Sequence, residues 1–205
     1  MKRIANIVSA LFVFASPWVL YWTLSQHRVA VAAATVIGWV VIRSLPIFIT
    51  ANREQRSAVL QLPLIALVFA IVGWICNEGK WLLVLPSATQ AGFGIAFLRS
   101  LRHTPLIENF ARMVKPTLSV AEQSHCRRFT AIWGVYLLGL AATGLALATW
   151  ASLRVWTAYV GIVNYALVGL LFAVEYVIRK IRFRDYGRNP LDWMLAKVFP
   201  AAPSS

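Results

Sequence analysis

Glu175 is the acidic residue whose position most suggests chemistry, because no other Asp or Glu lies within a long apolar stretch. An ionisable side chain in such a stretch can relay protons or hold a cationic group. Arg179 follows four residues later, so an i,i+4 ion pair can neutralise Glu175 instead. We favour the ion pair and keep the functional interpretation open. Asn164, deeper in the same stretch, is predicted to form an interhelical hydrogen bond.

Two histidines stand beside groups that could activate them or be activated by them. His103 and Glu108 have the H-x4-acid spacing, in which an acid orients a histidine base toward a substrate hydroxyl. The pattern is similar to that of membrane acyltransferases, which have Asp where this chain has Glu. His125-Cys126 precedes two arginines, and cations of this kind lower a thiol pKa. No third partner is evident, so a solvated loop pair is predicted. No metal-ligand spacing is present, and we expect neither a metal nor a cofactor.

The elements that must position these side chains are six apolar stretches, each close to the roughly 20 residues that a membrane span needs. Arg43 lies near the end of the second stretch, where it can reach the headgroups or line a transport path. The sequence therefore predicts an all-α polytopic membrane protein with six transmembrane helices and short interfacial amphipathic helices. The predicted spans are 4–25, 29–49, 58–76, 81–98, 131–150 and 155–177.

The distribution of basic residues predicts the orientation. Of the 20 Lys and Arg, 16 fall in alternate polar segments, and Arg43 lies in a predicted span near the same side. The exceptions are Arg28, Lys80 and Arg154. By the positive-inside rule, both termini are then expected to be cytoplasmic. A composition with 60% hydrophobic and 13% charged residues argues against a soluble protein. The net charge of +13 is accordingly interpreted as attraction to the anionic cytoplasmic leaflet, not to nucleic acid.

The predicted domains are a membrane domain over 1–178, with a cytoplasmic loop at 99–130, and a basic tail over 179–205. Amphipathic helices are predicted at 105–114, which includes Phe110, and at 190–199. Ser119 and Glu122 have the capping-box spacing and should begin a helix that runs into the fifth span. The basic residues predicted to meet lipid or partners are Arg127, Arg128, Arg179, Lys180, Arg182 and Arg184.

A resemblance to a known family runs over roughly residues 100–185. The segments that carry it are 104–111, 117–119, 127–133 and 175–184. They resemble the intracellular septation protein A family of inner-membrane proteins. They are most similar to relatives from gene clusters for aryl polyene or xanthomonadin-type pigments. The resemblance implies a non-catalytic protein of envelope biogenesis whose partners are other envelope or pigment-biosynthesis membrane proteins.

The expected function is thus a non-enzymatic accessory or scaffold in envelope biogenesis, in pigment assembly or in septation. A small-molecule or lipid carrier is the first alternative, and it would use Gln90, Asn164, Arg43 and Glu175. An acyltransferase that uses His103 is the second.

Overall fold

The computed structural model describes residues 15–50, 53–184, 186 and 190–198. All regular secondary structure in this part of the chain is helical, which confirms the predicted all-α class. The helices are α1 (residues 15–25), α2 (Val29–Thr50), α3 (Arg53–Ile75), α4 (Lys80–Ser100), α5 (Leu106–Val114), α6 (Val120–Trp150), α7 (Leu153–Phe183) and α8 (Pro190–Val198). Within α7, Tyr159–Val163 forms a π-helical segment.

Three of these helices, α4, α6 and α7, are long and apolar enough to cross a membrane. In α2 and α3 the described apolar parts are shorter, Val29–Ile42 and Leu64–Ile75. The first predicted span begins at residue 4, so its first half lies outside the described residues. The membrane character is therefore supported by three helices, and the number six stays a prediction.

Two helix boundaries differ from the sequence prediction. Helix α3 begins at Arg53, although the predicted span begins only at residue 58. Helix α7 continues to Phe183, beyond the predicted end of its span at residue 177. Hydropathy marks where a helix can leave the hydrocarbon, not where its backbone hydrogen bonds end, because a helix continues in water or at headgroups. Residues 179–183 of the predicted tail are thus helical.

The chain divides into two compact units, of which the first comprises Met1–Phe93 and Leu137–Asn164. Its core includes Ala32, Ala33 and Ala70, which are fully buried. Such small residues let helix backbones approach closely, as they do in membrane proteins. Gly144 shows how close the approach is, because a Cβ there would lie 2.5 Å from Ser87 Oγ.

Two turns of the first unit have the same construction. His27 and Asn77 adopt positive φ angles of 56° and 52° and follow α1 and α3. In each turn the next residue donates its N–H to a carbonyl five residues earlier, Arg28 to Thr23 and Glu78 to Gly73. These are Schellman-type helix ends, in which a left-handed residue satisfies the last carbonyls of the helix.

The second unit comprises Gly94–Tyr136 and Tyr165–Ser205. Its helices also approach closely, because a Cβ on Gly134 would lie 2.6 Å from Leu98 Cγ. Helix α6 begins with the predicted capping box: Ser119 N–H donates to Glu122 Oε2 at 2.7 Å, and Glu122 N–H donates to Ser119 Oγ at 3.3 Å. The predicted helix through residues 127–128 into the fifth span is confirmed.

Candidate functional site

The C-terminal end of α7, which the sequence predicts to be cytoplasmic, carries a cluster of polar side chains that contact α6 and α8. Glu175 is its first member, and its main partner is a tryptophan. Trp133 Nε1–H donates to Glu175 Oε2 at 2.7 Å, whereas Arg179 Nη2 lies 3.9 Å from Glu175 Oε1. The predicted i,i+4 pair therefore exists at the long limit for an ion pair. Trp133 is 4% exposed and packs against Phe172, with 4.4 Å between ring centroids and the rings tilted by 55°.

The bond to Trp133 was not predicted from the sequence. A signal for it exists, because a buried tryptophan needs an acceptor for its N–H. The carboxylate of Glu175 is the acidic group that can reach the apolar face of α6. The same bond holds the carboxylate in place from a second helix, so that its position does not depend on Arg179 alone.

His125 and Cys126 are buried, and the predicted solvated loop pair is wrong. They lie on the inner face of the first turns of α6, because this helix begins well before the predicted span. Burial raises the pKa of the Cys126 thiol, although Arg179 Nη2 lies 3.4 Å from its Sγ and acts in the opposite direction. The thiol is therefore protonated and inaccessible, and the site offers no activated nucleophile.

The His125 ring packs between two phenylalanines. Its centroid lies 4.5 Å from that of Phe129 and 5.4 Å from that of Phe183, the latter edge-on. Burial lowers its pKa to about 4, helped by nearby Arg179 and further arginines. Its Nε2 has no hydrogen-bond partner among the described residues. His125 is thus a neutral packing residue at pH 7.

Helix α8 is attached to α7 through a buried acid. Asp192 is 1% exposed and accepts hydrogen bonds from Tyr176 Oη and, at 2.9 Å, from Lys180 Nζ. Four apolar residues of α8 are not buried with this acid. Leu191 and Met194, with Trp193 and Val198, are exposed. The helix therefore buries a charged residue and presents hydrophobic ones outward.

Helix α5 has the same arrangement. Glu108 is 8% exposed and accepts from Arg112 Nη2 at 2.7 Å and Nε at 3.0 Å. Ile107 is buried beside it, and its N–H donates to Thr130 Oγ1 of α6 at 3.3 Å. Phe110 is 57% exposed, and Met113 and Val114 are more exposed still. On a helical wheel of residues 105–114, Glu108 falls on the polar side of the predicted amphipathic helix, so the burial of this acid differs from the expectation.

The remaining candidate residues lie apart from this cluster. His103 is exposed, and Glu108 is occupied by Arg112, so the structure does not join them in a hydrogen bond. In the first unit, Gln90 Nε2 donates to Asn164 Oδ1 at 3.0 Å. Arg43 lies within α2, but its side chain is outside the described part.

The six basic residues predicted to meet lipid or partners differ in exposure. Lys180 is paired with Asp192, and Arg179 is partly covered. Those with exposed side chains are Arg127, Arg128, Arg182 and Arg184. In the part of the chain that is described, no three His, Cys, Asp or Glu side chains are grouped so as to hold a metal ion.

An open groove of about 440 Å³ lies at this end of α7. Its lining residues are Phe172, Ala173, Glu175, Tyr176, Arg179 and Leu191. Apolar side chains form most of its wall, and one guanidinium and one carboxylate lie within it. Comparisons of the chain with protein-family models, with curated proteins and with solved structures gave no match.

Proposed function

We propose that this chain is a six-span protein of the bacterial inner membrane, with both termini in the cytoplasm, that acts as a non-enzymatic platform on the cytoplasmic leaflet. The platform consists of α5, α8 and the exposed arginines between them in the second unit. The observation that carries the proposal is the reversed amphipathicity of the two short helices. Each buries one acid against the protein and exposes several apolar residues.

A helix with this arrangement is unfavourable in water and favourable at a membrane surface. Fully burying a Leu, Val, Phe or Met side chain contributes about 1.5–3 kcal/mol, so three outward apolar residues per helix favour lipid contact by several kcal/mol. Each Lys or Arg near an anionic leaflet adds about 1 kcal/mol. The exposed apolar residues are Phe110, Met113 and Val114 on α5 and Leu191, Met194 and Val198 on α8.

Depth-dependent fluorescence quenching tests this platform. In a Cys76→Ser background, a fluorophore is attached to Phe110→Cys and, as the matched control, to Asn109→Cys. Asn109 is exposed on the same helix but is polar, and the remaining Cys126 is buried and does not react. In liposomes with brominated acyl chains, we expect strong quenching at position 110 and little at position 109. Equal quenching at both positions would refute the interfacial placement of α5.

The topology has its own test, which does not depend on the platform. Reporter fusions after Gly79 and Arg154 should lie in the periplasm, and a fusion at Ser205 should lie in the cytoplasm. The positive-inside distribution supports this orientation. A periplasmic signal at Ser205 would contradict an even number of spans.

The process that the platform serves is proposed from the resemblance to septation protein A-like and pigment-cluster proteins. Deletion of the chain, scored separately for pigment and for cell shape, distinguishes the two processes. In the same assay, Phe110→Asp should abolish function, and His103→Ala should not. Loss of function in His103→Ala alone would favour the acyltransferase alternative, although Glu108 is occupied by Arg112.

The carrier alternative has one observation in its favour. The π-helical segment Tyr159–Val163 interrupts α7 within a predicted span, and Asn164 directly follows it and bonds to Gln90. Such π segments inside α-helices are frequent at functional sites. If the double variant Gln90→Leu with Asn164→Leu is stable and membrane-inserted but inactive, the carrier function, with transport through the first unit, replaces the platform as the proposed function.

A further inference from the structure

The groove on the second unit combines an incompletely bonded guanidinium with an apolar wall. Arg179 is about one third exposed and lines the groove together with Phe172 and Leu191. A volume of about 440 Å³ lies within the 300–1,000 Å³ typical of small-ligand sites. The groove is open, so a ligand can occupy it in part and continue along the outer surface of α7.

The guanidinium has few acceptors for its N–H groups. An arginine carries five N–H donors. Within the described chain, Arg179 reaches Cys126 Sγ, a weak acceptor, at 3.4 Å. The carboxylate of Glu175 lies at 3.9 Å, which is beyond hydrogen-bond distance. Most of the donors of Arg179 are therefore available to an oxyanion, whose geometry a guanidinium matches in a bidentate manner.

The local charge favours an anion in spite of Glu175. Glu175 Oε2 already accepts from Trp133, and the other nearby acid, Asp192, is paired with Lys180. Arg179, Arg182 and Arg128 all lie close enough to disfavour protonation of the buried histidine of α6. The surplus charge around the groove is therefore positive.

We infer that the groove binds one anionic glycerophospholipid, with the headgroup phosphate on Arg179 and an acyl chain against Phe172 and Leu191. The inference rests on the proposed membrane placement, in which residues 175–179 lie at headgroup level. The groove accommodates a phosphoglycerol headgroup and the first carbons of a chain. The remainder of the chain then follows the exposed apolar side of α7, where Leu170 and Val174 lie.

Native mass spectrometry of the purified full chain in detergent tests the inference. Phosphatidylglycerol and phosphatidylcholine with identical acyl chains are added in equal amounts. We expect phosphatidylglycerol adducts to be favoured about fivefold. Both lipids carry the phosphate, but phosphatidylcholine also brings a choline cation into the positive surroundings of the groove, and each basic residue contributes about 1 kcal/mol toward a lipid with net negative charge. Arg179→Gln should abolish the preference, and Arg179→Lys should retain part of it, because lysine keeps the charge but loses the planar fork.

The matched control is Arg127→Gln, which removes the same charge from an exposed side chain that does not line the groove. This variant should still prefer phosphatidylglycerol. Loss of the preference in this variant would show general attraction to the basic surface and would overturn the proposed site. Leu191→Asn makes the apolar wall polar at a half-exposed position and should weaken the binding of both lipids. Equal binding of the two lipids by the wild-type chain overturns the inference. Displacement of phosphatidylglycerol by equimolar inorganic phosphate also overturns it, because the acyl chain then contributes nothing. None of these outcomes depends on quenching at Phe110, so the site and the platform can fail separately.

Discussion

The substitution Asp192→Ala should release α8 from the second unit without unfolding the rest of the chain. Asp192 is almost fully buried and accepts from Tyr176 and from Lys180. A helix of nine residues does not persist alone, because isolated helices shorter than about 12–15 residues are marginal in water. The attachment of α8 therefore depends strongly on this one carboxylate.

The magnitude follows from the two bonds and the exposure of the lysine. A neutral hydrogen bond contributes about 1 kcal/mol, and one to a charged group about 1.5–3 kcal/mol. The side chain of Lys180 is 17% exposed, so it can reach water once Asp192 is removed, and the full cost of a stranded buried charge does not apply. We expect the free energy of local opening to fall by about 2 kcal/mol, a factor of about 30 in the open population.

Hydrogen exchange of the full chain in detergent measures this opening. Amides within residues 191–198 should exchange about 30 times faster in Asp192→Ala, while those of α6 remain unchanged. Lys197→Ala is the control, because Lys197 only covers the exposed Trp193 ring, and a change of less than about twofold is expected. A double-mutant cycle with Lys180→Met should give a coupling of about 1 kcal/mol. Unchanged exchange, or faster exchange throughout the chain, would refute the reasoning.

Three further predictions concern the second unit and α6. Glu175→Gln should change the free energy of unfolding by less than about 1 kcal/mol in chemical unfolding, because an amide oxygen still accepts from Trp133. Glu175→Leu leaves the buried N–H of Trp133 unbonded and should cost about 1–3 kcal/mol. Equal effects of the two substitutions would contradict the hydrogen bond. Gly134→Ala should destabilise by about 1–3 kcal/mol, while Gly139→Ala, which has open space at its Cβ, should be neutral or slightly stabilising in the same assay. His125 has a pKa of about 4 when folded, below its ordinary 6.5, so its contribution is complete above pH 6.5 and is lost as pH falls toward 4. Between pH 7.5 and pH 5, the free energy of unfolding should therefore fall by about 2 kcal/mol more in the wild-type chain than in His125→Phe, as measured by thermal unfolding. An equal fall in both chains would show that His125 titrates normally.

The sequence predicted the described helices better than their orientation. The capping box at Ser119 and the continuous helix behind it follow from local spacing, and both are confirmed. Helical periodicity also located α5 and α8. It does not state which face meets the protein, because that choice depends on distant partners such as Thr130 for α5 and Tyr176 for α8.

The same reasoning explains the errors around residue 125. Hydropathy places the membrane boundary near residue 131, so His125 and Cys126 were expected in water. Their burial comes from α7, whose helical extension to Phe183 supplies the covering ring. Trp133 was likewise not assigned a role, because the acceptor for its N–H is 42 residues away in sequence.

The two left-handed turns of the first unit have a consequence for the order in which the chain folds. Each is closed by backbone bonds that reach no more than five residues, so neither turn needs any distant part of the chain to form. A helical pair joined by such a turn can form while the following residues are still being synthesised. The first two hairpins then meet at their tips, because Gly79 in the second turn lies directly against Leu24 at the end of α1. A side chain at position 79 would require Leu24 to move, so the glycine lets the two turns pack in direct contact.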